Sequence, residues 1–146
     1  MSAEANKAIV RRFYEGFHTP IEDELIAPDY LHHDPALPPE MQRGLANYKL
    51  LLGAFRAGFP DLAMAVEEVV AEGDLVASRW TWRGTHRGDF QGIPPTGRRV
   101  EGSGMSIHRI AGGKIAEGWV NFDALGMLQQ LGVVPAPGQS EAAATA

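Results

Sequence analysis

The chain has 146 residues, no cysteine and a formal charge of −5, with 45% hydrophobic and 21% charged residues. That length fits one domain, able to bury roughly 70% of its unfolded surface and to hold both a core and an internal pocket. The acidic balance, with 13 basic residues scattered along the chain, argues against nucleic acid and membrane surfaces as partners. The lack of cysteine excludes disulfides, thiol nucleophiles and zinc–cysteine sites and suits a reducing cytoplasm, the location expected here. The opening stretch "MSAEANKAIVRRFYEGF" carries neither a long apolar run nor a cleavage site, so no signal peptide or membrane span is read in it.

Ile9, Val10, Phe13 and Phe17 recur at helical spacing, which predicts a helix over Ala3 to Phe17 with Ser2 as its N-cap. "TPIE" has the form of a capping box, Thr19 to Glu22, opening a short second helix that must end before Pro28. "YLHHDPALPP" reads as irregular or briefly extended. A third helix is expected from about Glu40 to Gly58, burying a stripe of Leu45, Tyr48, Leu52, Phe55 and Phe59. The period then changes from helical to alternating. "LAMAVEEVVAEGDLVASRWTWRGTH" predicts two strands joined at Gly73-Asp74. "HRGDFQGIPPTGRR" is a Gly- and Pro-rich loop, followed by strands "VEGSGMSIHRI" and "KIAEGWVNF" joined at Gly112-Gly113. "ALGMLQQL" closes as a helix stopped by Gly132. The domain is thus expected over 1–133, and 134–146, with few large apolar residues, is expected to be a mobile tail. Helices followed by a meander of strands indicate an α+β fold, with helices covering one face of a curved antiparallel sheet.

Alternation sorts the strand residues by face. Val76, Ser78, Trp80, Trp82 and His86 share one face, expected under the helices. A uniform two-residue hairpin at Gly112-Gly113 sets His108 opposite Glu117 and Ser106 opposite Trp119. His108, Glu117, Trp119, Asn121 and Asp123 then share a face; a loop one residue longer exchanges His108 for Arg109 or Ile107. The opposite face, with Met105, Ile107, Val120 and Phe122, leaves an apolar patch on a monomer, so a homodimer or higher oligomer through the outer sheet face is expected.

Residues 84–132, "GTHRGDFQGIPPTGRRVEGSGMSIHRIAGGKIAEGWVNFDALGMLQQLG", resemble the SnoaL-like polyketide cyclases, including their ester cyclase branch. The helical half with "LIAPDYLHHDP" is similar too, so the resemblance covers about residues 5 to 133. It implies an NTF2-like (cystatin-like) α+β cone enclosing a pocket. It also implies ring closure of a polyketide ester by intramolecular aldol condensation, with no metal and no organic cofactor. The acid/base of those enzymes is an aspartate on the last strand, a place held here by Asp123, accompanied by a histidine on the preceding strand, best matched by His108.

The residues themselves allow that chemistry. A carboxyl group among Trp119, Phe122 and Leu125 is raised by apolar burial toward a useful acid/base range. The competing reading makes Asp123 the N-cap of the helix starting at Ala124, which satisfies and lowers it. His108 orients Asp123 or a substrate carbonyl, or serves only the fold. Trp80, Trp82 and Trp119 are expected as cavity wall, with Asn121 beside them, and His86 and His33 at the pocket entrance. Adjacent His32 and His33 on an extended segment point apart, so "HHDP" is not read as a metal site, and Asp34 before Pro35 is read as an ordinary turn residue. The expected substrate is a hydrophobic small-molecule carbonyl compound. Two alternatives stand: a hydrolase of epoxide hydrolase type, with Arg109 and Asp123 in an Asp–Arg–Asp set, and a non-catalytic binding module.

Overall fold

The computed structural model describes residues 2–138; residues 139–146, most of the expected tail, lie outside the described residues. The chain opens with α1 (Ala3–Glu15) and α2 (Glu22–Leu25), followed by β1 (Ile26–His33). After a 3-10 turn at Pro39–Met41 come α3 (Leu45–Gly58), β2 (Ala63–Glu72), β3 (Leu75–Thr85), β4 (Arg99–Ala111), β5 (Lys114–Phe122) and α4 (Ala124–Leu131).

Ser2 caps α1 as expected, its hydroxyl accepting the Ala5 N–H at 3.1 Å, and Val10, Phe13 and Tyr14 bury its apolar face. The capping box does not form. Thr19 Oγ1 instead donates to the Gly16 carbonyl at 2.8 Å. The Glu22 carboxylate turns to Arg56 of α3, which reaches both its oxygens at 2.9 and 2.8 Å. Arg56 also donates to the carbonyls of Phe17 and Thr19, each at 2.7 Å. A bidentate, charge-assisted pair outweighs a single neutral cap bond. Because Glu22 is buried, removing Arg56 would strand a carboxylate at a cost of about 3–5 kcal/mol. This cluster ties α3 to the turn after α1.

The five strands form one sheet in the order β1-β5-β4-β3-β2. β1 runs parallel to β5 and the other neighbours are antiparallel. The second half of β1, from Tyr30 to His33, belongs to the stretch read as irregular or briefly extended. Its partner lies at the far end of the chain, so no local pattern announces it. The helix expected from Glu40 starts at Leu45, since Pro39–Met41 closes into its own turn. Tyr48, Leu52 and Phe59 are buried as expected, with Leu45 and Phe55 half-buried.

β3 alternates as read: Val76, Ser78, Trp80, Trp82 and His86 are all buried on the helix side. β5 does not follow a uniform register. Ala111 pairs with Lys114 and Ile110 with Ile115, but Arg109 then pairs with Glu117 and His108 with Gly118. Ala116 is an extra residue, a β-bulge that reverses which face each following side chain occupies. Gly118, Val120 and Phe122 therefore lie on the same face as His108, and Glu117, Trp119, Asn121 and Asp123 on the other. The apolar outer patch likewise consists of Met105, Ile107 and Trp119, without Val120 or Phe122.

Inner-face glycines make room for large rings. A β-carbon on Gly104 would sit 2.4 Å from the Trp80 indole, and one on Gly102 would sit 2.1 Å from Trp82 Nε1. One on Gly118 would sit 2.3 Å from the Tyr30 hydroxyl. The spacing Gly-x-Gly in β4 is thus the counterpart of Trp-x-Trp in β3, across the pairs Trp80–Gly104 and Trp82–Gly102.

Candidate active site

A cavity of about 70 Å³ lies between the helices and the sheet, enough for several waters. Tyr14 of α1 and Tyr48, Leu52 and Phe55 of α3 form one side; Trp80 and Trp82 of β3 and Val120 and Phe122 of β5 form the other. The lining is mostly apolar; His32 and Asp34 join it, with the hydroxyls of Tyr14 and Tyr48 as the other titratable groups. Among the described residues, Asp34 is the only carboxylate in that lining.

β1 delivers this pair. Its burial alternates, with Tyr30 and His32 inward. His32 Nδ1 lies 3.0 Å from the Tyr30 hydroxyl, and its ring packs on Tyr48 at 4.6 Å between centroids. Its Nε2 lies 3.8 Å from Asp34 Oδ2, too far for a hydrogen bond but close enough for the carboxylate to stabilise a proton gained there. The other Asp34 oxygen accepts the Ala36 N–H at 2.9 Å, so the turn through Pro35 holds the carboxylate in place. Burial pushes the Asp34 carboxyl up, but His32 and the Ala36 N–H outweigh it and hold the group below the ordinary aspartate range.

The expected site residues divide. Trp80 and Trp82 line the cavity. Trp119 and Asn121 do not, because the bulge turns them outward; Trp119 is 38% exposed and its ring lies flat against His33, 5.0 Å away at 10°. His33, expected at the pocket entrance, faces out and meets Glu117 at 2.7 Å. Its neighbour His32 is the inward one, since β1 alternates from Tyr30. Arg109 bonds the other Glu117 oxygen at 3.2 Å, so the Arg109–Asp123 set of a hydrolase does not assemble at the cavity.

Asp123 is exposed rather than facing an enclosed hollow. Its Oδ1 accepts the Gly126 N–H at 2.8 Å, capping α4. The capping reading describes its position, and losing such a cap typically costs ~1 kcal/mol. His86 is fully buried but is absent from the cavity wall. Its Nδ1 accepts the Thr96 N–H at 3.2 Å and lies 3.0 Å from the Thr96 hydroxyl. His86 therefore pins the Gly- and Pro-rich loop to the sheet instead of opening a mouth.

His108 is buried on the inner face, behind the cavity wall, with its ring near those of Phe13 and Tyr14. Its Nδ1 has no hydrogen-bond partner among the described residues. Tyr14 and Trp80 share a floor beneath it, both donating to Ser106 Oγ, at 2.7 and 2.9 Å. Burial, with the charge of His32 adding to it, lowers the His108 imidazole from 6.5 to about 3. Between these values the unfolded chain takes up a proton that the folded chain refuses. The His108 contribution to stability is therefore full above about 6.5 and is lost as pH falls toward 3. Urea midpoints measured at about pH 7.5 and about pH 5 should drop further for the wild type than for His108→Gln. Equal drops would place His108 in a solvated setting.

The SnoaL-like polyketide cyclase family model matches residues 7–131. Nogalonic acid methyl ester cyclase of Streptomyces nogalater is 38% identical over 114 residues, 75% of this chain and 82% of that protein. Aklanonic acid methyl ester cyclase DnrD of Streptomyces peucetius is 31% identical over 133 residues, 85% of this chain and 88% of that protein. In structure, AclR from Streptomyces galilaeus superposes with a TM-score of 0.81 at 29% identity, over 92% of this chain and 85% of that one. IdmH from Streptomyces antibioticus gives 0.75 at 36%, over 88% and 99%. The α+β architecture is the NTF2-like cone of these proteins, and the chain, an enzyme of the cyclase type, belongs to the SnoaL-like polyketide cyclase family.

Proposed function

We propose that the protein closes a ring by intramolecular aldol addition in a hydrophobic polyketide ester whose reacting end enters the cavity between α1, α3 and the sheet. The observation that carries this reading is the lining: aromatic and aliphatic walls into which His32 and its neighbour Asp34 are set. An apolar hollow with a few convergent polar groups suits a ligand whose reacting part is polar and whose rings are not. The named relatives supply the substrate class, methyl esters such as nogalonic or aklanonic acid methyl ester. The reaction needs a base for a proton alpha to a carbonyl and an acid for the new alkoxide, and side chains supply both.

Asp123, the acid/base that the resemblance implies, caps α4 at the outer side, and β5 offers Gly118, Val120 and Phe122 inward in its place. Incubation with nogalonic acid methyl ester should yield an isomer of unchanged mass and altered retention, with no oxygen-18 taken from labelled water. Label in the product would mean hydrolysis. Binding without turnover would mean a ligand carrier.

Assembly is read from the outer face. Val70, Ala77, Ile107, Trp119 and His33 form one continuous row across all five strands. Met105, 61% exposed, flanks it. On one side of the row lies the pair Glu68–Arg79, and on the other Arg109–Glu117. Both signs on both flanks make the face self-complementary about a two-fold axis, as an isologous homodimer requires. Light scattering at micromolar concentration should give the mass of two chains or more, and Ile107→Glu should reduce it to one. A wild-type mass of one chain would contradict this reading.

A further inference from the structure

We propose that His32 is the group that moves the proton during ring closure, and that Asp34 and Tyr30 are positioning residues that set its orientation and charge. The inference deepens the cyclase reading and rests on it for the substrate class. Three observations carry it. First, the pair lines the mostly apolar cavity, and Asp34 is the only carboxylate in that lining among the described residues. Second, His32 has its two nitrogens in different roles. Nδ1 is engaged by the Tyr30 hydroxyl at 3.0 Å, whereas Nε2 makes no hydrogen bond among the described residues and lies 3.8 Å from Asp34 Oδ2. Third, the orienting groups are themselves held: Asp34 by the Ala36 N–H, and Tyr30 by its full burial over Gly118. A base oriented by one partner and charge-matched by another is the general form of an acid/base device.

The groups facing the imidazole are few. β1 supplies Tyr30, the turn after it Asp34, α3 supplies Tyr48, and β4 supplies His108. Only Asp34 is an acid able to carry negative charge in this set at neutral pH. In the tautomer that donates Nδ1–H to the Tyr30 oxygen, Nε2 is free to accept. The Nε2 lone pair takes the proton alpha to the substrate carbonyl. The electrons of that C–H bond pass into an enolate, and the new imidazolium lies beside the Asp34 carboxylate. The enolate carbon then attacks the second carbonyl, forming the carbon–carbon bond. The resulting alkoxide takes the proton back from Nε2. Protons and electrons balance with no other reactant.

The step can be read apart from ring closure, because abstraction alone exchanges the alpha proton for deuterium in heavy water. The methyl ester probe named above is followed by NMR for exchange and by chromatography for closure. Wild-type protein should catalyse both. His32→Ala should lose exchange by about 100-fold or more, and added imidazole should restore part of it. Asp34→Asn should lower kcat with KM little changed, which a purely structural loss would not do, and it carries the test if His32→Ala does not fold. Exchange at the wild-type rate in both variants, or none in the wild type, would overturn the assignment of His32. Exchange without closure in the wild type, lost in His32→Ala, would support His32 as the base while overturning the cyclase reading. Closure in the wild type that survives in His32→Ala would do the reverse.

Discussion

One additional residue in β5 decides what the cavity contains. Ala116 has no partner on β4, and the strand beyond it is turned over by that single insertion. Without the bulge, Glu117, Trp119, Asn121 and Asp123 would turn toward the space that Tyr30 and Trp80 occupy. With it, Gly118 faces inward beneath the Tyr30 hydroxyl, and Val120 and Phe122 complete an apolar wall. The outward residues take other work: Glu117 joins His33 and Arg109, Trp119 stacks on His33, and Asp123 caps the final helix.

A hollow of this kind is expensive to polarise. Burying an ionised group among hydrocarbon costs several kcal/mol unless partners compensate, so the few polar groups inside are those with partners at hand. His32 and Asp34 compensate each other, with Tyr30 and the Ala36 N–H completing the set. β1 can present them because its parallel pairing with β5 ties His32 to Gly118 and His33 to Trp119. The bulged strand and the strand bearing the ionisable pair are thus one structural unit.

Much of the architecture is legible locally. The period of α1 and α3, the Trp-x-Trp alternation of β3 and the Gly-Gly turn before β5 each follow from residues a few positions apart. The parts that are not legible depend on distant partners. β1 looks irregular because its Pro, His and Asp residues carry no strand pattern, and its pairing partner comes some ninety residues later. Glu22 looks like a cap until Arg56 of another helix is in place. The sequence "HHDP" does show that two histidines point apart, but not which one points in, since that depends on the phase of β1. The "KIAEGW" stretch shows no sign of its bulge except Gly118, whose missing side chain fits an inward position under Tyr30 and not an outward one. That glycine is the one signal that could have corrected the placement of Asp123.

The register of the last hairpin therefore carries the whole account, and cross-strand NMR contacts read it directly. Nuclear Overhauser effects should join Ile110 to Ile115, Arg109 to Glu117 and His108 to Gly118, leaving Ala116 with no residue opposite. Contacts from Arg109 to Ala116 and from His108 to Glu117 would describe a uniform ladder, return Asp123 to the inner face and contradict the site described for His32 and Asp34.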